Sequence, residues 1–146
     1  MDQKDKTFQM ILKLEPYALG FFGLAFLLRL GHMPFSSEVF IISISALALI
    51  YVFKSSSKND RLETFAQFIQ KGIFNSIALG LIALLYQIQQ WPFRKEMVIV
   101  FLGATSLMLL LSLVKKVPVK QLISMNNGIL LLGLLFLIIT SYFNLF

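Results

Sequence analysis

Ten residues, "RLGHMPFSSE" from Arg29 to Glu38, gather an arginine, the chain's one histidine, a proline and a glutamate between two apolar runs. These are types that handle protons and ions. An imidazole with an ordinary pKa near 6.5 makes His32 a candidate proton-sensitive group. Glu38 has a counterpart in Glu96, and the two carboxylates would collect a cation if the fold brought them together. The same residues also serve as a turn. Proline suits the first turn of a helix, where its missing N–H costs nothing. Glutamate near a helix start favours the exposed amides and the positive end of the dipole, and Arg29 can extend toward headgroups. Both readings stand at this point, and the turn accounts for every residue in the cluster.

The elements that position the cluster follow from composition. Of 146 residues, 58% are hydrophobic and only 14% charged, with 15 Phe. A soluble domain carries roughly 25% charged residues. The mean hydropathy of +0.80 points the same way. Lipid is the solvent that accommodates such a chain. A bilayer core about 30 Å thick needs roughly 20 apolar residues in a helix. Five runs qualify: Pro16–Leu30, with an apolar extension before it, Val39–Phe53, Gly72–Ile88, Met97–Val114 and Gly128–Phe146. Helices are expected, because a lone span must satisfy its own backbone hydrogen bonds and the alternation of a barrel strand is absent. The first run is expected to be a retained anchor rather than a cleaved signal. The fold class is therefore an all-α membrane protein of five transmembrane helices.

Basic residues set the orientation. With five spans, one side receives ten of the thirteen, in the clusters around Lys4, Lys54 and Lys115, and the other receives Arg29, Arg94 and Lys95. Positive charge in short loops stays cytoplasmic. The N-terminus is expected inside and the C-terminus outside. The net charge of +6 then reflects juxtamembrane loops facing anionic lipid, with no nucleic-acid partner.

A shift of 58 residues aligns "LGHMPFSSEVFIISISALALI" with "IQQWPFRKEMVIVFLGATSLM". Pro34, Phe35 and Glu38 fall on Pro92, Phe93 and Glu96, and six of the 21 pairs are identical. The chain thus reads as two hairpin repeats followed by a terminal helix. Each copy holds two spans, so the copies are parallel and related by an axis along the membrane normal. The expected divisions are a cytoplasmic segment 1–13, hairpin 14–53, a cytoplasmic loop 54–71, hairpin 72–114, a second loop 115–127 and a terminal span 128–146. In the first loop Leu62, Phe65, Phe68 and Ile69 recur at helical spacing, among Arg61, Glu63, Gln67 and Gln70. That pattern suggests a short amphipathic helix on the inner membrane surface that runs into the third span, or a docking place for a cytoplasmic partner. "SMNNG", Ser124 to Gly128, reads as a capped helix start with Asn supplying the capping oxygen.

Within the spans the polarity is mild. Asn75, Ser76 and Gln87 are the candidate intramembrane polar residues, with further serines and glycines suited to helix seams. No charged side chain falls within 39–53, 72–86 or 97–114, which argues against an autonomous ion-driven transporter. No nucleophile-and-base set, phosphate loop or metal-ligand spacing is present, and cysteine is absent. The sequence therefore calls for no enzyme activity, cofactor or metal. The outer-face turns, with Arg29, His32, Pro34, Phe35, Glu38, Trp91, Pro92, Phe93 and Glu96, are the candidate partner contacts.

"FLLRLGHMPF", and its echo "LLYQIQQWPF", resemble a pattern of small Bacteroidota membrane proteins, whose better-known members include the membrane subunit of the gliding-motility and type IX secretion motor. Arg29, His32 and Pro34 match in the first hairpin and Trp91 and Pro92 in the second, where Gln87 and Gln90 replace the basic residue and the histidine. The resemblance covers about 25 residues per hairpin. It implies a bacterial inner-membrane helical subunit that assembles with others. The carboxylate that family carries in its second span has no counterpart here, where serines and alanines stand, so the motor chemistry is not implied. The expected role is a non-enzymatic subunit or scaffold of an inner-membrane complex, packed against other subunits or against copies of itself. The alternative is a small oligomeric transporter or channel for a weakly polar solute or an ion.

Overall fold

A computed structural model describes residues 3–56, 62–122 and 124–142, and among them all regular structure is helical. The helices are α1 Gln3–Leu30, α2 Ser36–Ser56, α3 Thr64–Ile88, α4 Arg94–Val114, the single turn α5 Val119–Leu122, and α6 Met125–Tyr142. Four of them, α1 to α4, are long and apolar enough to cross a membrane. The expected fifth span is shorter over the described residues, where its apolar part covers Asn127–Tyr142; the last four residues of that run lie outside them.

The helices exceed the apolar runs at their polar ends, because a helix persists wherever its backbone bonds continue. α1 starts at Gln3 rather than near Pro16 and runs through that proline. Pro16 removes one intrahelical hydrogen bond, a loss that helices in apolar surroundings tolerate. The amphipathic segment of the first loop runs without a break into the third span. From Thr64 it forms the opening turns of α3, and its apolar residues divide between two faces. Ile69 is buried in the core while Phe65 and Phe68 stay exposed. Lys115 lies 5.2 Å over the Phe65 ring, a cation–π contact that joins the start of α3 to the end of α4. Arg61, expected to begin that helix, lies outside the described residues.

α3 is the hub. It packs against α2, α4 and α6, while α1 packs on α2. Its buried residues, from Ala66 to Gln87, lie around much of its circumference, as a central helix requires. Its neighbours each offer one stripe. α4 contributes Val98, Phe101 and Thr105, and α6 contributes Asn127, Leu131, Leu134 and Ile138, the i, i+3, i+4 spacing of a single helix face. α1 buries little beyond Ala25. Phe22 and Phe26 lie 6.0 and 6.3 Å from the Phe40 ring of α2, and large side chains such as Tyr17 and Leu27 on α1 remain exposed.

Glycine placement shows which seams are tight. A Cβ on Gly80 of α3 would lie 2.7 Å from the ring of Phe101, and that ring is fully buried and has nowhere to move. The thioether of Met108 fills the corresponding notch at Gly72. By contrast Gly20, Gly23, Gly103 and Gly133 meet nothing within 4 Å. The seam glycines are on α3, and Gly20, Gly23 and Gly133 lie in no seam among the described residues. Gly80→Ala is therefore expected to destabilise the fold by about 1–3 kcal/mol through overpacking, whereas Gly103→Ala should be neutral or slightly stabilising. Thermal melting of both variants in detergent checks the contrast.

Candidate functional site

Two polar clusters stand at opposite ends of the α1–α2 hairpin, and α1 contributes a charged residue to each. The first is the turn. α1 ends at Leu30 with His32 in the left-handed region at φ 53°. Its N–H bonds to the Arg29 carbonyl and that of Met33 to the Leu28 carbonyl, the paired bonds of a Schellman C-cap. The second turn repeats this 58 residues on. Gln90 has φ 56°, its N–H bonds to Gln87, and Trp91 N–H bonds to Tyr86. Phe35 and Phe93 then share a left-handed φ, 61° and 64°, and each gives its carbonyl to the amide four residues ahead. The helices end at Leu30 and Ile88 and restart at Ser36 and Arg94, again displaced by 58 residues.

Pro34 and Pro92 differ from expectation. They precede the helices by two residues, ahead of the left-handed Phe, rather than lying in the first turn. A left-handed residue cannot belong to the helix, so each helix starts one position after its phenylalanine. Glu38 and Glu96 do occupy first turns, where the helix dipole favours them. Both are exposed, and no group of three or more His, Asp or Glu able to hold a metal forms among the described residues.

Side chains separate the two turns. Arg29 donates through Nη1 to the Ser37 hydroxyl at 2.5 Å, bridging the end of α1 to the start of α2. His32 is exposed and its Nδ1 lies 2.9 Å from the Leu30 carbonyl, a contact in which the ring N–H donates to the carbonyl. A cavity of about 440 Å³ opens here, lined among others by Arg29, His32, Ser36, Ser37 and Glu38. In the second turn Trp91 packs edge-on against Tyr86 at 5.2 Å, while Phe93, like Phe35, is largely exposed. Of the intramembrane candidates, Gln87 and Ser76 are buried, and Ser76 spends its hydroxyl on the Gly72 carbonyl of its own helix. Asn75 faces outward.

The second cluster has no counterpart among the expected site residues. Glu15 of α1 meets Lys54 of α2 through Oε2 at 2.5 Å, both nearly buried. The Tyr51 hydroxyl donates to Glu15 Oε1 at 2.9 Å. A hydroxyl has one proton, so the Asn127 amide must donate in its turn. Oriented so, its nitrogen lies 3.0 Å from both Tyr51 Oη and Glu15 Oε1, and its oxygen accepts from Lys54 at 3.2 Å and Ser124 at 3.3 Å. Asn127 is thus a cluster residue rather than the helix cap expected of it. The backbone carbonyl of Ser124 takes the first helical bond, from Gly128 N–H. The Lys54 ammonium also sits 5.3 and 5.2 Å from the Tyr51 and Phe74 rings. Four helices, α1, α2, α3 and α6, converge on this point. At 1.5 Å per residue Glu15 is about 22 Å along α1 from the turn, and Lys54 about 27 Å along α2, inside the stretches apolar enough to cross a membrane.

The signal for this cluster was in the sequence but divided. Glu15 stood one residue before the expected span and Lys54 one residue after the next. Antiparallel hairpin geometry brings such positions together, and Asn127 joins only through the packing of α6 on α3. Removing one partner of a buried pair strands the other charge, which costs about 3–5 kcal/mol, while replacing both often recovers most of the loss. Lys54→Met alone should therefore destabilise strongly and Glu15→Gln with Lys54→Met should recover more than half of it, read as the coupling energy of a double-mutant cycle in detergent melts. Comparisons with known protein families, with curated proteins and with solved structures return no match for this chain.

Proposed function

We propose that the chain is an integral membrane protein of the bacterial inner membrane that acts as a non-enzymatic subunit or scaffold, built from a tandem copy of one hairpin plus a terminal helix. The observation that carries this reading is the uncovered apolar flank of α1. Over its spanning stretch only 6% is buried, against 61% for α3, and Gly20 and Gly23 meet nothing within 4 Å. The polar cluster fixes α1 in place while leaving that flank free, and close helix approach is what small residues in apolar helices allow. Matching helix ends and left-handed residues at a spacing of 58 support the tandem copy. The bias of basic residues supports an N-terminus on the cytoplasmic side, and the resemblance of the first turn to inner-membrane motor subunits agrees with a role in an assembly.

A second reading rests on a specific observation, the Glu15–Lys54 pair. Ionisable residues within apolar helices are a common mark of ion and proton pathways, and this pair supplies the charge that the spans otherwise lack. It would make the chain a small oligomeric transporter or channel.

Purification from native membranes in mild detergent separates the two. A subunit co-purifies with a stoichiometric partner, and Gly20→Leu with Gly23→Leu abolishes that association without lowering the melting temperature. A transporter instead purifies alone, conducts protons or ions when reconstituted in liposomes, and loses that flux in Glu15→Gln. A chain that purifies alone and conducts nothing is neither.

A further inference from the structure

The cavity at the first turn holds a combination of groups that its own chain leaves unmatched. Arg29 is half-buried and spends one N–H on Ser37, with no carboxylate in ion-pair distance among the described residues. A guanidinium has five donors. Ser36 is 5% exposed and lines the cavity. Its N–H bonds to the Met33 carbonyl, yet its hydroxyl has no partner among the described residues. The amides of Ser37 and Glu38 meet no backbone carbonyl, as at any helix start. An unpartnered hydroxyl on a nearly buried serine, a guanidinium and two free amides on the positive end of a 21-residue helix make a receptor for a phosphate oxygen cluster.

Glu38 stands at the mouth of the same cavity. Its carboxylate repels a bare anion and attracts a cation. A ligand that satisfies both ends carries a phosphate and an ammonium a few bonds apart. The position selects the source. The cavity lies at the closed end of a hairpin whose two helices are long and apolar enough to cross a membrane, and Phe35 beside it is 77% exposed, placed to meet the glycerol and upper acyl region. Its volume of about 440 Å³ is of the size that holds small ligands, roughly 300–1,000 Å³. We propose that this cavity binds the headgroup of a zwitterionic phospholipid with a primary amine, the phosphate on Arg29, Ser36 and the start of α2, and the ammonium on Glu38.

The second turn is an internal control. It has the same backbone, but Gln87 stands where Arg29 does, and Arg94 and Lys95 replace Ser36 and Ser37. The serine hydroxyl and the guanidinium at the cavity are therefore specific to the first hairpin. Substitutions at Glu96 should not disturb the site.

Native mass spectrometry of the purified full chain, offered phosphatidylethanolamine and phosphatidylglycerol of identical acyl chains, tests the proposal. The wild type is expected to retain one phosphatidylethanolamine in preference to phosphatidylglycerol. Arg29→Gln should cut that retention by about tenfold, the worth of one charge-assisted hydrogen bond. Glu38→Gln should abolish the preference and admit phosphatidylglycerol equally, and Glu96→Gln should behave as wild type. Should Arg29→Gln not fold, Ser36→Ala, which removes no charge, is expected to weaken retention at least threefold. Excess water-soluble glycerophosphoethanolamine identifies the source: failure to displace the lipid confirms a membrane ligand, and displacement overturns the lipid assignment in favour of a soluble phosphoester. A wild type without headgroup preference, or an unchanged preference in Glu38→Gln, overturns the site itself.

Discussion

The contact on which the arrangement depends is the buried cluster of Glu15, Tyr51, Lys54 and Asn127. Each member is unaffordable alone in apolar surroundings, since an unpaired charge or amide there carries a desolvation penalty of several kcal/mol. Together they close a set of mutual donors and acceptors, and the set is complete only when α1, α2 and α6 occupy their observed positions. Apolar stripes can slide or rotate against one another with small changes in contact. A polar cluster cannot, because displacement by one helical residue leaves each partner unmet. It therefore supplies the register that the greasy surfaces lack.

α1 shows this most plainly. Its contact with the remainder is a single stripe, with Glu15 near one end, Phe22 and Phe26 between, and Arg29 at the other. Polar clamps at both ends and aromatic rings between them fix an antiparallel helix by one narrow face. The flank opposite is apolar and uncovered among the described residues. α3 is held by the contrary means. It has neighbours on several sides, and notches at Gly72 and Gly80 receive Met108 and Phe101, so its register against α4 comes from shape rather than charge.

The two turns separate backbone from chemistry. Left-handed conformations at His32 and Phe35 recur at Gln90 and Phe93 although only the Phe is shared, so the turn geometry does not require the histidine. What differs is the placement of positive charge, at the end of α1 in one turn and at the start of α4 in the other. That difference places the Arg29 guanidinium in the lining of the first-turn cavity, where the second turn has Gln87 at the matching position.

The sequence by itself determined the helices and their apolar character. Hydropathy and run length marked α1 to α4, the charge bias suggested an orientation, and the Pro-Phe-x-x-Glu pair located both turns, because these properties are local and add along the chain. It placed helix ends less well, since backbone hydrogen bonding carries α1 through Pro16 and α3 back to Thr64 beyond the apolar limits. The Glu15 cluster was not legible in this way. Its members lie up to 112 positions apart, each unremarkable at the edge of an apolar run, and Asn127 read as a cap. Only the tertiary structure decided that they meet, because whether a polar side chain faces lipid, water or a partner depends on helix rotation and register. Those are set by packing among several helices at once rather than by any one stretch of sequence.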